Sequence, residues 1–213
     1  MRSAVAGVLL AAGEGSRFGR PKALVELDGQ TLAERGVTLL RAGGADPVLI
    51  VTGAAHVDLG HLGPEHQART VYNGEWRTGM GSSLRAALRA LTEPEAGPEA
   101  GPEIGAVVVA LADQPLVGAA AVGRLIAAYQ AGAGVAVAAY GGKPRNPVLL
   151  AREHWPEVIA TATGDQGARA FLRARPDLVM LVECGDTGRP DDIDTPADLE
   201  HIAVSRPGPP RYG

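Results

Sequence analysis

The chain has 213 residues, 46% of them hydrophobic and only 4% aromatic, which is enough for one α/β core of aliphatic side chains and short for two separate ones. A formal charge of −4 supplies no basic surface on which to expect nucleic acid, and no apolar run approaches the ~20 residues of a membrane span. Cys184 is the only cysteine, so an internal disulfide is excluded and a buried thiol in a reducing, cytoplasmic setting is expected.

Taken in chain order, apolar runs alternate with helical patterns, which predicts a mostly parallel central sheet with crossover helices in one domain over residues 1–204. The first run, Ala4 to Ala12 behind Arg2, has the look of a short signal segment but fits a buried first strand, Val5–Leu10, equally well. The further strands are expected at Pro47–Thr52, Arg69–Asn73, Ala106–Ala112, Gly134–Ala139, Asn146–Leu150 and Leu178–Val182. Helices are expected at Thr31–Ala42, Ser82–Leu91, Gly118–Ala131, Ala151–Ala160, Gln166–Arg173 and Pro196–Val204. Thr31 stands three residues before Glu34, the pattern of a capping box, and Gly43-Gly44 supplies the stop. Thr195-Pro196 opens the last helix with a cap and a proline in the first turn. Residues 92–105 repeat Pro-Glu-Ala-Gly and are expected as a flexible surface insertion; residues 205–213, rich in proline and glycine, are expected as a disordered tail.

The densest chemistry lies in LLAAGEGSRFGRPKALVEL, from Leu9 to Leu27. After the strand come Gly13, Gly15 and Gly19, with Arg17, Arg20 and Lys22 interleaved. Glycines allow sharp turns that bring backbone N–H groups against phosphate oxygens, and Arg17 and Lys22 add charge-assisted hydrogen bonds to the same anion. The glycine spacing, G-x-G-x-x-x-G, misses the dinucleotide-binding fingerprint by one residue, and Pro21 interrupts where its helix should run. A Walker A loop is excluded because no Gly-Lys-Ser/Thr is present. An ordinary glycine-rich βα turn is the plainer alternative.

This segment resembles the signature of the nucleotidyltransferases that include the molybdenum cofactor guanylyl- and cytidylyltransferases, in which Leu-Ala-(Ala/Gly)-Gly is followed by an arginine, a Phe/Met-Gly pair and a lysine. The resemblance implies a three-layer, Rossmann-like nucleotidyltransferase fold. It implies further that Leu10, Ala11, Ala12, Gly13 and Gly15 line the nucleotide and that Arg17 and Lys22 hold the triphosphate. Ala11-Ala12-Gly13 is the form that accompanies CTP in that family, where Ala-Gly-Gly accompanies GTP.

The resemblance continues along most of the chain. YNGEWRTGMGSSLRAAL, Tyr72 to Leu88, is similar to the family's second nucleotide segment. Gly79, Ser82 and Ser83 would there meet the base or ribose, although serines at a helix start also serve as plain caps. Trp76 is expected to pack at the pocket edge. VVVALADQP, Val107 to Pro115, delivers Asp113 at the carboxyl end of a buried strand, where ligands of open α/β sheets bind. Asp113 is expected to hold Mg²⁺, the alternative being a cap for the next helix. RPDDIDTPADLE carries Asp191, Asp192 and Asp194. By the family's match Asp192 and Asp194 are candidates, with Asp192 favoured as the second metal or acceptor-side carboxylate. A simple helix-dipole role is the alternative.

GGKPRNPVLL, Gly141 to Leu150, has Arg145-Asn146 where the family has Gly-His beside the acceptor, and TGDQGAR, Thr163 to Arg169, resembles its Gly-Asp-x-Gly-Ala-Arg loop. Arg145, Asn146, Asp165 and Arg169 are thus the expected acceptor-side residues, against the alternatives of a solvated charge pair and a local cap. The activity implied is Mg²⁺-dependent transfer of CMP from CTP to molybdenum pterin cofactor with release of pyrophosphate, and a molybdoenzyme is the implied recipient of the product. The rival expectations are an NAD(P)H-dependent reductase, a nucleotide-binding delivery chaperone, and a nucleotidyltransferase for another phosphorylated acceptor.

Overall fold

The computed structural model describes residues 3–60, 62, 68–92 and 103–204. Most of the expected insertion, residues 93–102, and the expected tail, 205–213, lie outside the described residues. A seven-stranded sheet runs through the molecule in the order β5-β4-β1-β6-β8-β7-β9. Its strands are β1 (Ala4–Leu10), β4 (Val48–Thr52), β5 (Arg69–Tyr72), β6 (Ile104–Leu111), β7 (Val135–Tyr140), β8 (Lys143–Ala151) and β9 (Val179–Glu183). All run parallel except β8, which pairs antiparallel with both β6 and β7. A short hairpin of β2 (Glu26–Leu27) and β3 (Gln30–Thr31) stands apart from the sheet.

The pleat of β1 explains the layers. Val5 and Leu9 face a core shared with α1 (Leu32–Ala42) and α3 (Ala119–Gln130). Ala6, Val8 and Leu10 face the opposite core, shared with α2 (Met80–Thr92), α4 (Trp155–Thr161) and α5 (Arg169–Ala174). Both faces of the parallel strands β1, β4, β6 and β7 are covered, so these strands read as unbroken aliphatic runs, whereas the edge strands β5 and β9 are largely exposed. A third cluster packs Val25, Leu27 and Leu32 of the hairpin region against Ile193 and Ile202, which ties α6 (Pro196–Val204) to the rest.

The helix starts are chemically specified. Thr31 Oγ1 accepts from Glu34 N at 3.2 Å, and Glu34 Oε2 accepts from Thr31 N at 2.6 Å, the expected capping box. Thr195 and Asp198 repeat the arrangement at α6, with Asp198 Oδ2 accepting from Thr195 N at 2.7 Å.

Some expected boundaries shift. β8 begins at Lys143 rather than Asn146, because its first residues are exposed and form the hairpin with β7. The expected helix at Ala151 starts instead at Trp155, after a 3₁₀ turn at Arg152–His154, and Pro156 sits in its first turn. The helix expected from Gln166 begins at Arg169, behind a second 3₁₀ turn at Gly164–Gln166. Cys184 is fully buried against Val117, Ala121 and Ala138. No described helix is long and apolar enough to cross a membrane.

Candidate functional site

β1 and β6 are neighbours, and their carboxyl ends open onto one cavity of about 390 Å³. Leu10 to Arg17, Lys22 and Ala23 form one wall; Trp76, Gly79, Met80 and Ser83 form another; Leu111 to Asp113, Asp165 and Asp194 complete it. The carboxyl edge of a parallel sheet is where side chains of successive loops converge without competing with the ladder.

The glycine loop leaves β1 and folds back on itself. Gly15 has φ +65°, and a Cβ there would lie 2.1 Å from the Arg20 carbonyl oxygen, so only glycine fits this crossing. Phe18 and Gly19 both donate their N–H to the Gly15 carbonyl, at 2.8 and 2.9 Å. The loop then ends in a 3₁₀ turn at Lys22–Leu24, and α1 begins only after the β2–β3 hairpin. A dinucleotide fingerprint would open directly into a helix; this loop does not.

Lys22 is the centre of the cavity's electrostatics. Its Nζ donates to Asp113 Oδ2 at 2.9 Å and to Asp194 Oδ1 at 2.5 Å, while Arg17 Nη2 lies 3.1 Å from Asp194 Oδ2. Burial pulls the Lys22 ammonium down, but the charges and hydrogen bonds of Asp113 and Asp194 outweigh it and hold its pKa above the usual lysine value. Asp113 sits just past the end of β6, as expected from the sequence.

Asp192, expected as the second metal carboxylate, is not among the residues lining the cavity. Its Oδ1 accepts from Gln114 Nε2 at 2.8 Å, and Asp194, not Asp192, lines the cavity. Burial pushes the Asp192 carboxyl up, the Gln114 hydrogen bond pulls it down, and the nearby charges of Asp113 and Asp194 push it up again; the net shift is upward. Gln114 also donates to the Pro190 carbonyl at 3.3 Å, and Ile193 N donates to the Asp113 carbonyl at 2.8 Å. These bonds latch the 190–194 segment onto the end of β6 and turn Asp194 toward Lys22. The latch joins residues far apart in the chain, so no local pattern marks Gln114 beyond its adjacency to Asp113.

The second wall is set by Asn73. Its Nδ2 donates to Ser82 Oγ at 2.8 Å and to Ser83 Oγ at 3.0 Å, and all three residues are buried. Ser82 Oγ is directed to the carbonyls of Gly79 and Glu75, at 2.8 and 3.0 Å, and does not line the cavity; Ser83 does. Both serines lie inside α2, which starts at Met80, so neither is the helix cap. Gly79 has φ +105°, and a Cβ there would lie 2.4 Å from the Gly164 carbonyl carbon and 2.6 Å from Asp165 Oδ1. The glycine lets the 163–166 turn close over the start of α2 and brings Asp165 to the cavity wall. Trp76 packs at the edge, with the Arg77 guanidinium 4.3 Å over its ring.

The expected acceptor residues divide. Asn146 and Arg169 meet in a smaller cavity of about 40 Å³ that shares Leu10, Met80 and Leu111 with the large one. Asp165 lines the large cavity itself. Arg145 lies on the exposed half of β8, bonded to the Pro144 carbonyl at 3.0 Å, and lines neither cavity.

A family model described as the MobA-like NTP transferase domain matches residues 7–179, a span that holds the glycine loop, the Asn73–Ser83 wall and Asp113. The chain belongs to that family. The family is a nucleotidyltransferase family. Nicotine blue oxidoreductase from Paenarthrobacter nicotinovorans is 38% identical over 199 residues, covering 90% of this chain and 92% of that protein. A probable molybdenum cofactor guanylyltransferase from Opitutus terrae is 56% identical over 52 residues, 24% of this chain and 26% of that protein. Among solved structures, the Mycobacterium sp. strain JC1 homolog of Mycobacterium tuberculosis rv0371c superposes with a TM-score of 0.74 at 29% identity, covering 96% of this chain and 98% of that one. MobA-like members thus include proteins named for different reactions, and the division must lie in the site rather than in the fold.

Proposed function

We propose that this MobA-like protein transfers a nucleotide from a nucleoside triphosphate to a small phosphorylated acceptor, with residues 1–204 acting as one domain. The observation that carries the reading is the convergence of Lys22, Asp113 and Asp194 on a cavity walled by the glycine loop. A triphosphate carries a charge of about −4; Lys22 and Arg17 supply positive charge against it, and the two carboxylates supply oxygen ligands for a cation that would supply more.

The carboxylates fit a hard divalent cation. Asp113 and Asp194 offer only oxygen donors, and both reach a single atom, Lys22 Nζ, at 2.9 and 2.5 Å. Mg²⁺ held by this pair would neutralise charge that develops on the phosphates. Lys22 and Arg17 would orient the triphosphate along the loop, and Ser83 and Trp76 would border the nucleoside. Ala12 places a methyl in the cavity wall where the guanylyl branch of the resemblance has glycine, which favours the smaller pyrimidine and hence CTP. The acceptor would enter by Asn146 and Arg169, with Asp165 on the wall of the larger cavity. A phosphate acceptor is ionised near neutral pH, so positioning and charge neutralisation suffice without a general base. Molybdenum pterin cofactor is the acceptor that the glycine loop, the Gly-Met-Gly-Ser-Ser segment and the Asp113 strand favour by resemblance, while Arg145-Asn146 departs from it; a cytoplasmic molybdoenzyme would receive the product.

The relative named nicotine blue oxidoreductase favours a second reading, reduction of a small heterocycle by NAD(P)H. That reading leaves the two carboxylates around Lys22 without a task. Pyrophosphate release measured with CTP, GTP, ATP and UTP in Mg²⁺ and molybdenum pterin separates the two. Release with CTP and pterin together supports cytidylyl transfer; NADPH oxidation that requires an added oxidised heterocycle as hydride acceptor, without pyrophosphate release, supports the reductase.

A further inference from the structure

Lys22 occupies the position a cation would need. Its ammonium touches Asp113 at 2.9 Å and Asp194 at 2.5 Å, and its side chain is only 19% exposed. Two carboxylates facing one cavity repel each other unless a positive charge sits between them. Lys22 supplies that charge from within the chain.

No group of three or more His, Cys, Asp or Glu side chains suited to a metal occurs among the described residues. A pair of carboxylates alone is a poor chelate for Mg²⁺ or Mn²⁺, which keep waters and take most of their remaining ligands from phosphates. A free cation arriving at this cavity would have to displace a bonded ammonium and would gain only two protein ligands. A triphosphate changes both sides of that exchange. It offers Lys22 other oxygens, and it brings ligand oxygens for the cation.

We propose that Lys22 is a resident placeholder for the divalent cation, holding Asp113 and Asp194 together in the nucleotide-free protein and yielding that seat only when a triphosphate draws it away. The inference rests on the nucleotidyl-transfer reading and adds an order to it: the cation does not load ahead of the nucleotide. By linkage, nucleotide and cation each strengthen the binding of the other. The lysine also keeps an idle site from filling with whatever divalent ion is abundant.

The test is Mn²⁺ binding to the full chain without nucleotide, followed by electron paramagnetic resonance, with CTP binding in the presence and absence of Mn²⁺ followed by calorimetry. Lys22→Met is expected to bind Mn²⁺ at least tenfold more tightly than the wild type. Arg17→Met removes one charge beside the same carboxylate but vacates no shared seat, and is expected to gain much less. Lys22→Gln gives the same comparison should the Met variant fail to fold. Equal Mn²⁺ affinity in wild type and Lys22→Met, undetectable binding in both included, would overturn the placeholder, as would an equal gain in Arg17→Met. In those cases Mn²⁺-dependent CTP binding by the wild type would leave the nucleotidyl-transfer reading standing. Absence of CTP binding, with or without Mn²⁺, would remove that reading and the placeholder with it.

Discussion

Lys22 and Asp194 stand 172 residues apart in the chain, yet Nζ of one lies 2.5 Å from Oδ1 of the other. The contact closes the carboxyl edge of the sheet: the glycine loop after β1 and the segment before α6 meet across the end of β6. Asp113, at that strand end, completes the group. The arrangement needs three distant stretches to be folded correctly at once, so variants at these positions report on the whole edge.

The two carboxylates should behave differently from their neighbour Asp192. Asp113→Asn and Asp194→Asn are each expected to lower pyrophosphate release by at least roughly 100-fold, the scale of removing a charge-stabilising group from a preorganised site. Asp192→Asn, which keeps an oxygen for Gln114, should stay within a few-fold of wild type. Steady-state turnover at saturating nucleotide, with circular dichroism to confirm the fold, checks all three.

Asp192 also makes a prediction about pH. Its carboxyl is held above the ordinary value of 3.8 by burial and neighbouring negative charge. Between 3.8 and the raised value the folded state binds more protons than the unfolded one, so stability falls as pH rises through that window. At neutral pH the ionised group is a cost. Asp192→Asn is therefore expected to be at least as stable as wild type at pH 7, with the difference vanishing below pH 3.8. Urea unfolding across pH 3 to 7 measures it.

Asn73 should matter more than its position outside the cavity lining suggests. Removing its amide leaves the buried Ser82 and Ser83 hydroxyls without a donor. Asn73→Ala is expected to cost about 2–3 kcal/mol of stability and to raise KM for the nucleotide through Ser83. Chemical denaturation gives the first quantity and initial rates the second.

Gly79 is a backbone requirement. At φ +105° and ψ 176° an alanine is strained by roughly 1–3 kcal/mol, and its methyl would collide with Gly164. Gly79→Ala should lower the melting temperature and displace the 163–166 turn that carries Asp165. A crystal structure of the variant showing an unmoved turn would contradict this.

Much of this edge was legible in the sequence, for reasons that differ by residue. Gly13, Gly15, Arg17 and Lys22 lie within a single loop, so their proximity follows from local chain length alone. Asp113 could be placed because a continuous aliphatic run ends there. The choice between Asp192 and Asp194 could not be made locally. Their segment has no regular period, and its path is set by Gln114 and Asp113, bonds that appear only in the folded chain. Ser82 and Ser83 looked alike as a Gly-Ser-Ser helix start; α2 begins two residues earlier and turns only Ser83 to the cavity. β2 and β3, two residues each, are too short for any periodicity to register. The antiparallel course of β8 is likewise a matter of its pairing with β6 and β7 rather than of its own residues.

The most direct test of the central claim follows the phosphorus. The protein is incubated with Mg²⁺, molybdenum pterin cofactor and CTP labelled with ³²P at either the α or the γ position. Nucleotidyl transfer predicts that the α label moves into a pterin-containing product and the γ label leaves as pyrophosphate, both lost in Asp113→Asn. Retention of both labels in CTP, together with oxidation of NADPH in a parallel incubation that supplies NADPH and an oxidised heterocycle as hydride acceptor, would contradict it.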